Sequence, residues 1–318
     1  MAEDVVVGID IGGTKVLAGV VDVDGAVRRT ASRTTPGRRV DVALVEEALS
    51  AALSEVVGED RLRAVGLAAA GFVDRAGELV RFAPHLPWRD APVRATLAAR
   101  WGVPVVLEND ATAAVHAEVT YGAARGAEDV VLVTMGTGIG GGVVVGGQVH
   151  RGWNGMAGEF GHMQVVPDGV ACECGGRGCW EQYTSGNALV RFARAQLGAR
   201  PTMLEEMCDG NPDALTGPMI TAAAEDGDLV AHEAFGQVGD WLGVGLANLV
   251  AAFDPECVVV GGGVSAAGDR LLAPARAALE RSLVGGRRRE VPPVLAARLG
   301  PRAGLVGAAD LAARTRNP

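Results

Sequence analysis

Aromatic residues are scarce: six Phe, five Trp and two Tyr make up 4% of 318 residues. Val and Ala must carry the burial instead, which favours β-branched strands and closely packed helices. Basic charge is also short, with 29 Lys and Arg against 38 Asp and Glu and a net charge of -9. A nucleic-acid surface needs a basic face to neutralise phosphates, so that class is excluded. The one basic run, Arg287–Arg289, follows Gly285-Gly286 and is expected to be a solvated turn. The start, Met-Ala-Glu-Asp, enters a Val run without a basic segment and apolar core behind it, so no secretory leader is expected. Leu242–Phe253 is interrupted by Asn248 and too short to span a bilayer; it reads as a buried helix. A cytoplasmic protein is expected, away from membranes. The five cysteines then lie in a reducing compartment, where clustered thiols read as metal ligands and not as disulfides.

Glycine, by contrast, is abundant at 46 residues. Val5–Asp10 reads as a strand, Ile11-Gly12-Gly13-Thr14 as a tight turn and Val16–Val21 as a returning strand. Val130–Val133, the turn Gly136–Gly141 and Val143–Val145 repeat that unit, which implies an internal duplication and two related lobes. Helical spacing is expected over Val40–Val56, Leu229–Ala252, Asp269–Leu283 and Ala303–Ala313, and from Gly186. Further strands are expected over Val65–Ala70, Val103–Leu107 and Cys257–Val260. The alternation indicates an α/β fold.

Two glycine motifs fail on context. Gly8 to Lys15 lacks the Gly-Lys-Ser/Thr ending of a Walker A loop. Gly136-x-Gly138-x-x-Gly141 matches a dinucleotide fingerprint but leads into a strand where that fingerprint must open a helix. What remains is a pair of hairpins whose backbone N–H groups can cradle phosphate. Asp10 supplies a carboxylate for a Mg²⁺-bound water beside that turn. Gly261-Gly262-Gly263 offers bare backbone for a flat adenine.

Glu108-Asn109-Asp110 follows a strand end, where α/β sheets favour ligand contact; Asn109 can also cap the next helix. A phosphoryl-transfer enzyme needs a carboxylate to accept the substrate hydroxyl's proton, and Asp110 is the candidate. Cys172-x-Cys174-x₄-Cys179 puts three thiols in eight residues, with His162 ten residues upstream. Four such ligands suit a closed, structural zinc site. Zinc there would pin a loop carrying Glu159 and Glu181, a carboxylate pair suited to vicinal sugar hydroxyls. Cys208 and Cys257 read as ordinary buried thiols.

Taken in order, Asp10-Ile-Gly-Gly-Thr14, Glu108-Asn-Asp110, Gly136-Thr-Gly138, Glu159-Phe-Gly-His162, the cysteine cluster, Glu181 and Gly261-Gly-Gly263 resemble the ROK family of sugar kinases and repressors. Gly71-Phe-Val-Asp74 through Phe82-Ala-Pro-His-Leu-Pro-Trp88 further resembles its glucokinase branch. The resemblance implies the actin-like ATPase fold, hexokinase and ribonuclease H-like. A small lobe over 1–109 plus about 300–318 and a large lobe over 110–299, with the zinc loop and dimer-forming helices, are expected. It implies transfer of the γ-phosphoryl of ATP to the 6-hydroxyl of glucose by a homodimer or homotetramer. Asp10, Gly12, Gly13, Thr14 and Lys15, with Gly136, Thr137 and Gly138, are implied to meet phosphates and Mg²⁺, and Gly261–Gly263 the adenosine. Gly71, Asn109, Asp110, Glu159, His162 and Glu181 are implied to line the sugar, Asp110 as base. Phe72 departs from the Pro that many members have there. Within the kinases, N-acetylmannosamine, mannose or fructose is the competing substrate, and polyphosphate the competing donor. A repressor carries a helix-turn-helix segment ahead of the first hairpin, and with a strand starting at Val5 none is expected.

Overall fold

The structure is a computed structural model that describes residues 2–315. Its first sheet begins with β1 (Asp4–Ile11), β2 (Lys15–Val21) and β3 (Val27–Thr34). Helix α1 (Val42–Val57) and strand β4 (Arg61–Ala69) follow. A small sheet of β5 (Phe72–Val73), β6 (Val80–Phe82) and β7 (Arg89–Ala91) precedes α2 (Val93–Trp101), β8 (Val105–Asn109) and α3 (Asp110–Thr120). The second large sheet opens with β9 (Val130–Met135), β10 (Ile139–Val145) and β11 (Gln148–Val149). Helices α4 (Gly186–Arg194), α5 (Met203–Met207), α6 (Gly217–Glu225) and α7 (Leu229–Phe253) come next. The chain closes with β12 (Cys257–Gly261), α8 (Asp269–Ser282), β13 (Val294–Ala296) and α9 (Ala303–Ala313).

The two five-stranded sheets share one strand order, β3-β2-β1-β4-β8 and β11-β10-β9-β12-β13. In each, the first strand is central, its hairpin partners lie on one side, and two parallel strands lie on the other. This is the duplication that the repeated glycine hairpin implied, and the fold is mixed α/β as expected. The strand β3, the small sheet and α2 had no clear signal: β3 buries only Ala31, and its exposed face of Arg and Thr hides any alternation.

The chain up to Leu132, Gly142–Gly158 and the chain from Arg298 form one compact unit; Val133–Gly141 and Glu159–Ala297 form the other. The first boundary lies beyond the expected residue 109, because α3 packs on α9 and β8 within the first unit. No helix among the described residues is long and apolar enough to cross a membrane. The basic run is only partly a solvated turn. The side chain of Arg287 lies outside the described residues, Arg288 is exposed, and Arg289 donates 2.8 Å to the Val250 carbonyl and pairs with Asp254.

In the first unit, α9 is almost wholly buried. It can lie flush on the sheet because Gly8 and Gly66 have no side chain: a methyl there would overlap the Leu305 or Ala308 carbonyl. The far ends of α3 and α9 are tied by Asp310, whose carboxylate accepts from His116 Nε2 at 2.6 Å, Tyr121 Oη at 2.5 Å and Arg314 Nε at 2.6 Å. Although burial works against ionisation, these donors hold the Asp310 carboxyl down to about 2. Gly66→Ala is expected to cost about 3 kcal/mol or more in urea unfolding, because backbone must move. Gly12→Ala, where a methyl meets open space, is expected to stay within about 0.5 kcal/mol.

Candidate active site

In the first unit, the N-terminal hairpin turns at Gly12–Thr14, where the Gly12 amide donates 3.0 Å to the Lys15 carbonyl. Thr35 holds the turn from behind: its hydroxyl donates to the Gly12 carbonyl at 2.8 Å and its amide to the Thr14 carbonyl at 3.0 Å. The amides of Gly13 and Thr14 have no acceptor among the described residues, so they are the free edge of the turn. Thr14 and Lys15 are exposed. Asp10 stands at the end of β1, and α9 leaves room for it: a methyl on Gly304 would lie 2.8 Å from its Oδ2.

Asn109 and Asp110 stand where β8 passes into α3. Asn109 is the helix cap, its Oδ1 accepting from the Thr112 amide at 3.0 Å, while its Nδ2 donates to the Gly71 carbonyl at 3.1 Å. Both roles expected of Asn109, cap and cleft residue, are thus compatible. Gly71 cannot carry a side chain without meeting the Phe82 carbonyl at 2.8 Å and Ala83. The structure therefore brings Asp10, the Gly12–Lys15 turn, Gly71, Asn109 and Asp110 together.

The electrostatics of this cluster fit a cation and a base. Burial first, and the Asp110 carboxylate second, push the Asp10 carboxyl up to about 7 against the pull of Lys15. Burial also raises Asp110, offset in part by donors that include the Ala111 amide at 2.9 Å. Asp10 therefore keeps its proton to a higher pH when folded than when unfolded, and ionising it opposes folding. Stability is lost as pH rises from about 4 to about 7. Asp10→Asn is expected to raise the melting midpoint at about pH 8 without Mg²⁺ or nucleotide, with the gain vanishing near pH 4, while turnover is lost. A lower midpoint at pH 8 would contradict this.

Sequence reading missed the brace beside this cluster. Glu108 is buried and accepts from Arg151 Nε at 2.7 Å and Nη2 at 2.6 Å, as well as from the Asn109 amide at 3.1 Å. Its place in the Glu-Asn-Asp run was visible, but its partner, 43 residues away, was not.

In the second unit, the Gly136–Gly138 turn is closed by the Gly136 amide donating to the Gly138 carbonyl at 2.9 Å. The Gly186 amide, opening α4, donates to the Gly136 carbonyl at 2.8 Å. Gly136, Thr137 and Gly263 line a cavity of about 930 Å³ whose other walls come from α4 and α6, including Asn187, Arg194, Pro218 and Thr221. Gly262 sits at φ 85 with Met135 backbone against it, which only glycine tolerates. Gly261 is buried at the end of β12. The α4 and α6 walls were not anticipated, since neither helix carries a motif; the run of small residues in α6 is the only trace.

A ring nitrogen of His162 and the sulfurs of Cys172, Cys174 and Cys179 lie within 4.8 Å of one another, and His162 Nδ1 is 3.7 Å from Cys172 Sγ. An ion about 2.3 Å from each sulfur in a tetrahedron sets the sulfurs about 3.8 Å apart; Cys174 and Cys179 are separated by 3.6 Å. The donor set therefore fits a tetrahedral metal, and all four expected ligands converge. Cys208 and Cys257 lie buried elsewhere. Glu159 opens the single turn Phe160–His162, and the Trp180 amide, donating 2.8 Å to the Met163 carbonyl, joins that turn to Glu181. Glu181 bridges two features: its Oε1 is 3.1 Å from Cys172 Sγ, and its Oε2 would lie 2.7 Å from a methyl on Gly138. Trp180, fully buried, fills the space that Gly245 leaves on α7 and donates to the Trp241 carbonyl at 2.8 Å.

The ROK family model matches residues 6–315. A glucokinase of Streptomyces coelicolor is 47% identical over 309 residues, 96% of each chain. A glucokinase of Thermotoga maritima is 36% identical over 271 residues, 85% of each chain. Among solved structures, a ROK family glucokinase from Streptomyces griseus in complex with glucose and AMPPNP matches with a TM-score of 0.90 and 46% identity, covering 98% of this chain and 100% of that one.

Proposed function

The chain belongs to the ROK family, and on that premise we propose that it transfers the γ-phosphoryl of ATP to the 6-hydroxyl of glucose, giving glucose 6-phosphate and ADP. The near full-length likeness to glucokinases carries this reading. Asp110 takes the proton of the 6-hydroxyl as the phosphoryl group arrives; Asn109 and the backbone at Gly71 orient the sugar in the same unit. Glu159, His162 and Glu181 contribute the other sugar contacts. The amides of the Gly12–Lys15 and Gly136–Gly138 turns hold phosphate oxygens, and the cavity beside Gly261–Gly263 takes the adenosine. Asp10 would hold a Mg²⁺-bound water, and the ion would offset charge on the phosphates. Zinc on His162, Cys172, Cys174 and Cys179 would be structural, fixing the His162 ring so that its Nε2 faces a hydroxyl. Positioning and charge stabilisation supply most of the acceleration. A cytoplasmic homodimer or homotetramer completes the reading; light scattering tests the assembly.

A coupled assay over hexoses, with ATP and with polyphosphate, tests the substrate assignment. Glucose with ATP is expected to give the highest kcat/KM, at least about tenfold above mannose, fructose and N-acetylmannosamine, an ordinary margin for one lost or misplaced hydroxyl contact. Another hexose ranking first would overturn the glucose assignment while leaving sugar kinase intact.

A further inference from the structure

The loop over 82–88, part of the stretch that marks the glucokinase branch, has no role in the mechanism above. Its geometry is that of a rigid platform. Ala83, Leu86 and Trp88 are buried, and one nitrogen of Arg89 gathers the loop by donating to the carbonyls of Ala83 at 2.7 Å, Leu86 at 2.9 Å and Trp88 at 2.6 Å. The same guanidinium lies over the Phe82 ring, 4.2 Å from its centre. Between these anchors His85 is exposed, and its ring makes no hydrogen bond or ion pair to any described residue.

The platform touches both halves of the first unit's cluster. On one side, the Phe82 carbonyl and Ala83 press on Gly71, whose carbonyl holds Asn109 next to Asp110. On the other, His85 packs on Gly13: a methyl there would lie 2.7 Å from its Cβ and 3.0 Å from its Cγ. Gly13 is therefore a glycine because an imidazole occupies the place of its side chain. That imidazole stands over Gly13, whose amide, like that of Thr14, is free, on the turn that follows Asp10.

Resting on the reading of the chain as a glucose 6-kinase, we propose that His85 is a phosphoryl-contacting residue. Its ring N–H donates to an oxygen of the phosphoryl group as that group reaches the sugar, and afterwards to the 6-phosphate of the product. No bond to His85 forms or breaks; a single N–H joins the amides of the turn in meeting charge that neutral glucose does not carry. A rigid loop suits this, since a donor held in place costs little reorganisation when the charge arrives.

Two variants and the parent protein test it. His85→Ala is expected to lower kcat by roughly a hundredfold, the low end of the scale for one removed donor. It should weaken glucose 6-phosphate binding by calorimetry about tenfold, with glucose binding within about twofold, while His85→Gln, which keeps an N–H donor, recovers most of both losses. In the parent, glucose 6-phosphate should shift the His85 ring resonance in NMR and glucose alone should not; this needs no folded variant. Equal weakening of glucose and glucose 6-phosphate binding would assign His85 to loop support and overturn the proposal, as would an unshifted resonance or a His85→Ala turnover within twofold of the parent. A parent that does not phosphorylate glucose would instead defeat the underlying reading, an outcome seen before any variant is made.

Discussion

Asp110→Ala is expected to lower turnover on glucose by about three orders of magnitude, within the range for a positioned general base. The loss should fall on kcat, because the proton is taken only in the transition state, with KM for glucose changing far less. Folding should survive. Asp110 opens α3, but the cap hydrogen bond belongs to Asn109, and removing a buried carboxylate relieves desolvation. The pH profile gives an independent reading. Burial raises the Asp110 carboxyl above the usual carboxylate range, so parent turnover should fall as pH drops through that raised value, since a protonated base accepts nothing. Extra Mg²⁺ should not rescue Asp110→Ala, which separates a base from a cation ligand. A variant with near-parental kcat would remove Asp110 from this role.

Cys174→Ser, or removal of metal by a chelator, is expected to raise KM for glucose by roughly ten- to a hundredfold. It should also cost stability, since a structural metal's binding energy is folding energy. The reason is connectivity within the second unit. The donor atoms hold His162 on one side and the Cys179-Trp180-Glu181 turn on the other, and both proposed sugar contacts move if the centre loosens. Because Glu181 also stands over Gly138, a smaller rise in KM for ATP is expected, about twofold to fivefold. Metal analysis of the purified protein should give one zinc per chain. Unchanged glucose affinity after complete metal loss would reduce the centre to a fold clamp, and a larger effect on ATP than on glucose would reverse the assignment of its neighbours.

Much of this was legible in the sequence for definite reasons. Glycine hairpins, a strand-end Glu-Asn-Asp and a thiol cluster are local in the chain, so their chemistry survives projection onto one dimension. The fold was legible for a similar reason: the repeated hairpin implied two related lobes, and the two sheets share one strand order. What stayed hidden was set by partners distant in sequence. Glu108 reads as one more acid until Arg151 is found beside it, and His85 as a loop histidine until Gly13 is seen beneath it. The scarcity of aromatics was a usable sign left unread. With so few, several anchor functional loops: Trp180 between a thiol and Glu181, Trp88 under the His85 loop, and Phe160 against Phe253 beside the His162 turn. The boundary near residue 109 failed for a related reason, since the packing of α3 on α9 joins residues nearly two hundred apart, as His116 and Asp310 do.

The most direct test of the central claim is phosphorus NMR of the purified protein incubated with glucose, ATP and Mg²⁺. A sugar 6-phosphate resonance is expected to grow in step with ADP, and with Asp110→Ala almost no such signal should form over the same time. ADP and inorganic phosphate without sugar phosphate, or phosphate at another hydroxyl, would contradict it.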